Sequence, residues 1–558
     1  MDTVRRVGHH VSLYLVAAAL FTMSLLALGL PGVGQAATLT FSLLADTTTA
    51  IPGGTGTFTA FTPDPLLPPS PCISLGSVGF FGAGTGGQQG IYMLPPGPPN
   101  LPPGPPTKLA DLTTLIPDGT GMFTSFFPQL TISGGTLAVL ATGLGQQGIY
   151  MLPPGPPSKV ADLNTLIPGG IGSFTAFPPG PPSISGSNVV FLGGGSASQM
   201  GVYVMFPPGP PTKVADLNTA IPGGLGMFTG FTGSPDFPPG PPGISGSSVA
   251  FLGAGLSGQM GVYVAIPPGP PQKVADTSTA VPDAFGFFKF FTSVSIESTA
   301  VAFVGGVPGS PSSGPGVEGV YVAIPPGPPN KVADTSTAVP GGIGTFLFFG
   351  NVAIDPQNVV FEGFSDDGSG VTTLKGLYTN LGGTLTKIIA VKDVVGGKTV
   401  SDLNFGPGGF SGAQVVFAAT FTDGSQGITL ATFSGARCPH SQGFWKNNPS
   451  LWPVTTLTLG SQSYTQAELL KLLGTSTTSD ASLILARQLI AAKLNVANGS
   501  DPAPVASTIS DGDTRLGAFA GKLPYNVKSS SPAGQAMTTD ATALNSYNNG
   551  ALTPNCTP

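Results

Sequence analysis

Charged residues are scarce in this chain: Asp, Glu, Lys and Arg make up 8% of 558 residues, against roughly 25% in ordinary globular domains. With 20 basic and 26 acidic side chains and a formal net charge of −6, it offers no basic face for nucleic acid or for an anionic membrane surface. Three cysteines and no Cys-x-x-Cys pair leave zinc and thiol redox sites without support. Histidine occurs three times, which leaves little material for general acid–base chemistry. What abounds is Gly and Pro, 83 and 60 residues, about a quarter of the length, a level at which low complexity must be considered. Disordered chains, however, are poor in apolar residues and rich in charge, whereas this one is 41% hydrophobic with 35 Phe. It can bury a large core, and its Gly/Pro-rich turns point to an all-β protein with many short strands.

Residues 1–36 read as a targeting segment. Arg5 and Arg6 form a basic start, Val11 to Leu30 is apolar, Pro31 and Gly32 break the run, and Gly34-Gln35-Ala36 offers small residues for cleavage. A secretory signal peptide cut near Ala36 is expected, with an uncleaved anchor as the alternative, because about twenty apolar residues suffice to cross a bilayer. The remainder is then expected outside the cytoplasm, secreted or at the cell surface.

Repetition carries most of the information. A Gly-[Ile/Val/Leu]-Tyr element recurs at Gly90, Gly148, Gly201, Gly261, Gly319 and Gly376, with a degenerate seventh copy at Gly427, at spacings of about 51–60 residues. Each unit holds four runs rich in β-branched and aromatic residues, such as Phe174 to Phe177, Asn188 to Leu192, Gly201 to Met205 and Lys213 to Asp216, separated by turn residues. Four antiparallel strands repeated around an axis make a β-propeller. The last unit lacks a fourth strand, and Thr38 to Ala45 stands alone at the start. Residues 37–434 are therefore expected to form a seven-bladed propeller whose last blade is completed by the N-terminal strand. A linear solenoid or an array of Ig-like domains is the alternative.

Asp46, Asp111, Asp162, Asp216, Asp276, Asp334 and Asp393 recur before a Thr-rich turn. A carboxylate there can accept hydrogen bonds from turn N–H groups. The competing reading is calcium held by Asp111, Asp162, Asp216, Asp276 and Asp334, although one carboxylate per unit falls short of the six to eight oxygens calcium takes. Pro-Gly-Gly, as at Pro168, suits a type II turn. Paired aromatics such as Phe174 and Phe177 are expected in the core rather than on a sugar-stacking surface. Eight Pro-Pro-Gly-Pro-Pro cassettes, beginning at Pro95, Pro102, Pro153, Pro178, Pro207, Pro238, Pro267 and Pro325, are too isolated for collagen; they are expected as stiff polyproline-II loops, or as PxxP ligands for an aromatic groove.

After Gly435 the repeat stops. Cys438-Pro439-His440-Ser441-Gln442-Gly443-Phe444-Trp445-Lys446-Asn447-Asn448-Pro449 leads to both tryptophans of the chain. Thr465-Gln466-Ala467-Glu468 is a capping box, Asp480 can cap a helix over Ala481 to Ala497, and another helix is expected between Gly534 and Tyr547. Residues 435–558 thus form a small, mainly helical domain. Cys438 and Cys556 at its ends suit a disulfide in an extracytoplasmic protein, leaving Cys72 in a loop of the first blade.

The units, with Thr-x-[Ile/Val]-Pro-Gly-Gly-x-Gly-x-Phe-x-x-Phe and a later Gly-[Ile/Val]-Tyr, resemble those of bacterial exported tandem-repeat proteins of the choice-of-anchor kind over roughly residues 38 to 434. The C-terminal stretch is similar to a module found at the ends of varied bacterial exported proteins that reads Gly-Tyr-Trp-Lys-Asn-His-Pro, with Phe444 and Asn448 here in place of Tyr and His. These resemblances imply location and architecture rather than a chemistry.

His440 is the one histidine beyond the N-terminal segment. The repeated Asp residues occur in every unit, Glu297, Asp366 and Asp367 suit a variable loop, and Glu362 on a blade strand is the one acid worth testing as catalytic. The expectation is a monomeric, non-catalytic exported protein without a cofactor, whose propeller binds or displays to an extracellular glycan, envelope component or protein, with the C-terminal module for attachment or docking. A polysaccharide hydrolase or lyase and a calcium-stabilised scaffold are the alternatives.

Overall fold

The computed structural model describes residues 38–552 apart from short internal stretches, the longest being 62–69, 97–103, 233–239, 310–315 and 369–372. The expected signal peptide and Cys556 lie outside the described residues. Seven antiparallel sheets follow one another as the blades of a β-propeller. In blade 3 the strands are Phe174–Ala176 continued by Ser183–Ser185, then Asn188–Gly195, Met200–Met205 and Pro211–Asp216. Blade 7 takes three strands from the end of the repeat region, and Thr38–Asp46 pairs along Gln426–Ser434 from Thr38↔Ser434 to Asp46↔Gly427. The N-terminal strand thus closes the ring, as its sequence predicts, and leaves Gln426–Ser434 without an open edge.

The signature residues build the core. In blade 3 the Phe174 ring stands edge-on to Tyr203 at 5.0 Å, an arrangement repeated from Phe58 and Tyr92 to Phe346 and Tyr378. The Gly before each Tyr has a steric cause: a Cβ on Gly201 would lie 2.8 Å from the Tyr203 hydroxyl and 2.7 Å from the Ala215 carbonyl, so no larger residue fits. Blades are clasped to their neighbours at the turn between first and second strands. There Ser74, Ser133, Ser185 and Ser245 accept from the N–H of Gly134, Gly186, Gly246 and Ser298 of the next blade at 2.8–3.2 Å, and Asp355 accepts from Gly412.

The C-terminal region has its own core around Trp445, Leu485, Leu489 and Leu544. Its helices are α1 (Gln442–Asn447), α2 (Gln466–Gly474), α3 (Ala481–Ala497), α4 (Ala506–Gly517) and α5 (Pro532–Asn548). The Thr465–Glu468 capping box and the Asp480 cap form as expected. The hairpin Thr456–Leu459 with Gln462–Thr465 and helix α4 are additions that weak patterning concealed.

Candidate functional site

A four-stranded meander puts the turns between second and third strands and the blade-to-blade loops at one end, and all other turns at the opposite end. The blade-to-blade loops share one construction. In 216–228, Asp216 Oδ1 accepts from the Asn218 N–H at 3.1 Å and the Thr219 hydroxyl at 2.7 Å, while Oδ2 pairs with Lys213 at 3.0 Å. Gly223, at φ +69°, completes the type II turn closed by Gly224 N–H donating to the Ile221 carbonyl at 3.2 Å. Ile221 is buried and Phe228 N–H donates to Thr219 at 3.1 Å, so both stems are fixed and the tip, Leu225, stands 84% exposed. The tips of the loops entering blades 3, 5 and 6 are Ile171, Phe285 and Ile343, also exposed, with Leu115, Met122, Leu166, Met227 and Phe287 beside them. Entering blade 1 the same positions hold Thr55 and Thr57. The result is an arc of apolar tips over blades 2 to 6 at one end of the propeller. Exposed apolar patches of this kind mark interaction sites. The x of Pro-Gly-Gly-x-Gly was its sequence signal, legible only once the loop conformation is known.

The repeated carboxylates serve these loops. Burial alone would raise the Asp216 pKa, but the hydrogen bonds from Thr219 and Lys213, the Lys213 charge and the Asn218 N–H outweigh it and hold the group below the usual carboxylate range. Asp111, Asp162, Asp276 and Asp334 are set in the same way, each beside a Lys three residues earlier. Asp393 differs, accepting from Ala390 N–H and Lys387. The five Asp residues weighed as calcium ligands stand one per blade with their oxygens engaged, and among the described residues no three His, Cys, Asp or Glu side chains gather.

Other candidates fall apart from one another. Glu362 is buried between blades 6 and 7, where it accepts from Asn351 N–H at 2.9 Å with Lys375 at 3.9 Å; desolvation pushes its pKa up. Because it also accepts from the Phe405 N–H of blade 7, it pins two blades together. Glu297 does not sit in a variable loop: it ends the inner strand Phe290–Glu297, where blades 1 to 4 have the clasping serines. Burial and the neighbouring Asp355 carboxylate raise it to about 7. Asp366 accepts from Gly368 N–H, and Asp367 lies outside the described residues. Cys72 lies in the strand Cys72–Ser74 rather than a loop, fully buried. Three Pro-Pro-Gly-Pro-Pro cassettes are compact turns, not extended polyproline-II: Gly209, Gly269 and Gly327 N–H groups donate to Phe206, Ile266 and Ile324 carbonyls at 2.8–2.9 Å. That curvature removes the PxxP reading for them.

His440 is built into the helical module. Its ring stacks on Phe444 at 3.9 Å. Asn495 of α3 accepts from its N–H at 2.7 Å and donates to its carbonyl at 2.9 Å. The same Asn495 accepts from the Trp445 indole at 2.9 Å and donates to Asn548 of α5 at 2.9 Å. The motif around Trp445 is therefore a structural lock.

No family model matches the chain, and no curated protein matches it. Solved structures that align with it include a puromycin-hydrolysing peptidase from Mycobacterium tuberculosis, at 12% identity and a TM-score of 0.35 over 67% of this chain and 52% of that one. The propeller domain of the Trilobed protease from Pyrococcus furiosus aligns at 10% identity and a TM-score of 0.35 over 65% and 92%. An uncharacterised protein from Listeria monocytogenes aligns at 11% and 0.29 over 55% and 78%. The chain thus spans about half the length of the peptidase. The expectation of a non-enzyme is corrected here. Two of these structures belong to a peptidase and a protease.

Proposed function

We propose that the protein is exported and acts by recognition, presenting the apolar loop arc to an extracellular partner while the helical module serves attachment or docking. The polarity of the molecule carries this reading. Thr38, where the described chain begins, and Ser434, which leads to the helical module, are paired at the same end of blade 7. Gly499 of the module abuts Ala413 in the turn of that blade at this end. The apolar tips occupy the opposite end, free of both connections. The repeat and C-terminal motifs, with their resemblance to exported families, support the location. A Cys438–Cys556 disulfide belongs to the same proposal, since Asn495 ties His440 and Asn548, near the two cysteines in sequence, to one point.

The test is binding of the purified protein to envelope fractions of the producing cell, beside a variant carrying Ile171→Ser, Leu225→Ser, Phe285→Ser and Ile343→Ser. Saturable binding lost in the variant supports the reading; no binding, or binding untouched by the four changes, sinks it.

A further inference from the structure

Seven copies of one unit allow each position to be compared around the ring. One cross-strand row, at the loop-bearing end of the inner strands, departs from the pattern in one sector. In blades 1 to 4 its first two members are small: Ala60 and Ala83, Ser125 and Thr142, Ala176 and Gly194, Gly230 and Ala254. In blade 5 the first member is already aromatic, Phe290, but it faces Gly306; in blade 6 the row reads Phe348, Phe364 and Lys375, and in blade 7 its first member is Asp402. Phe348 and Phe364 lie face to face, 4.2 Å between ring centroids at 17°, and Phe348 remains 41% exposed although Phe346 and Phe349 beside it are buried. Phe348 stands outside the blade 5 contact made by those two. Lys375 shows which way the row faces: its ammonium lies 3.4 Å from Asp402 and 3.1 Å from Asn404 of blade 7, and the Asp402 side chain is 52% exposed.

An exposed aromatic stack beside a carboxylate, an amide and an ammonium joins an apolar platform to hydrogen-bonding groups of both kinds, the composition of a small-ligand site. A pyranose ring matches it, with an apolar C–H face for the stack and hydroxyls that both donate and accept. We infer that the rim at blades 6 and 7 is a carbohydrate subsite, with the Phe348–Phe364 stack under the sugar ring and Asp402, Asn404 and Lys375 around its hydroxyls. This deepens the recognition reading by naming a ligand class, and rests on it.

Saturation-transfer NMR of the purified protein with the methyl β-glycosides of glucose, galactose and N-acetylglucosamine tests the inference. At least one glycoside should bind, and Phe348→Ala and Asp402→Ala should each weaken it about tenfold. Phe348→Tyr should keep the platform and the binding. If Phe348→Ala lowers the melting temperature, exposed Asp402→Ala decides alone. No binding by any of the three glycosides, or binding indifferent to both alanine changes, overturns the subsite. Envelope binding is read in the four-serine loop variant and glycoside binding in Asp402→Ala, so failure of the apolar arc and failure of the subsite are separate results.

Discussion

Replacing Asn495 by Ala should release the helical module, and the cost can be worked from the hydrogen bonds it removes. Asn495 is fully buried and makes four: from His440 N–H, from the Trp445 indole, to the His440 carbonyl and to Asn548 Oδ1. A buried hydrogen bond contributes about 1 kcal/mol net, and a partner stranded without water costs more, so the loss should come to about 3–5 kcal/mol. That is a large part of the roughly 5–15 kcal/mol holding a domain together. With a urea dependence of about 2 kcal/mol per molar for a module of this size, the midpoint should fall by about 2 M. The assay is clean because both tryptophans of the chain, Trp445 and Trp452, lie in this module and are buried, so their emission follows its unfolding and not the propeller's. Asn495→Asp keeps the acceptor but buries a carboxylate; burial raises its pKa, so this variant should be closer to wild type at pH 4 than at pH 8. A midpoint shift below about 0.5 M in Asn495→Ala would refute the assignment of the motif as a lock.

Glu297→Ser, which restores the residue found in blades 1 to 4, should stabilise the propeller above pH 7. A carboxyl raised to about 7 in the folded state loses stability as pH climbs from its unfolded value of about 4.3 towards 7, so the gain, on the order of 1–2 kcal/mol, should vanish below pH 4 in melts across that range. Asp216→Asn has the opposite profile: a depressed pKa contributes stability above the unfolded value of about 3.9 that disappears as pH falls below it. The variant should therefore lose about 1 kcal/mol at pH 7 and match wild type near pH 2 in denaturant titrations. Deleting residues 38–46 should expose the edge of Gln426–Ser434 and yield aggregate on size-exclusion chromatography; a monodisperse, folded product would contradict closure by that strand. EDTA should leave the propeller's melting temperature unchanged, because the repeated carboxylates are already met by Lys and turn donors; a drop of several degrees would restore the calcium scaffold.

The blades were legible because repetition multiplies a weak signal. One Gly-Val-Tyr says little, but six at a regular spacing, each with a Phe pair upstream, define a unit whose fourth strand is missing only once. Physical causes stand behind those marks, since Gly201 cannot carry a Cβ under Tyr203 and Asp216 must receive the turn. The Pro-rich cassettes misled, because a composition that favours extended polyproline-II also fits a tight turn when a backbone N–H, such as that of Gly209, closes on the carbonyl three residues back. Glu297 misled too: its place on the inner ring depends on register, which no local pattern reveals.

The same symmetry that makes the fold readable hides the site. Residues shared by all blades answer to packing, so the strongest sequence signals, the Asp ring and the Phe pairs, are those with the least bearing on what is bound. Information about a ligand has to lie where one blade differs from its neighbours, and such a difference has meaning only once the strand register is known. Phe348 and Phe364 are sixteen residues apart and unremarked in the sequence; the register places them in one row with Lys375, and the blade contact brings Asp402 and Asn404 to the same ammonium. Four blades carry Ala, Ser or Gly in the first position of that row and blade 5 sets Phe290 against Gly306, whereas blade 6 alone pairs two aromatic side chains there, one of them 41% exposed. Burial does not require that choice; the carbohydrate subsite inferred above would account for it.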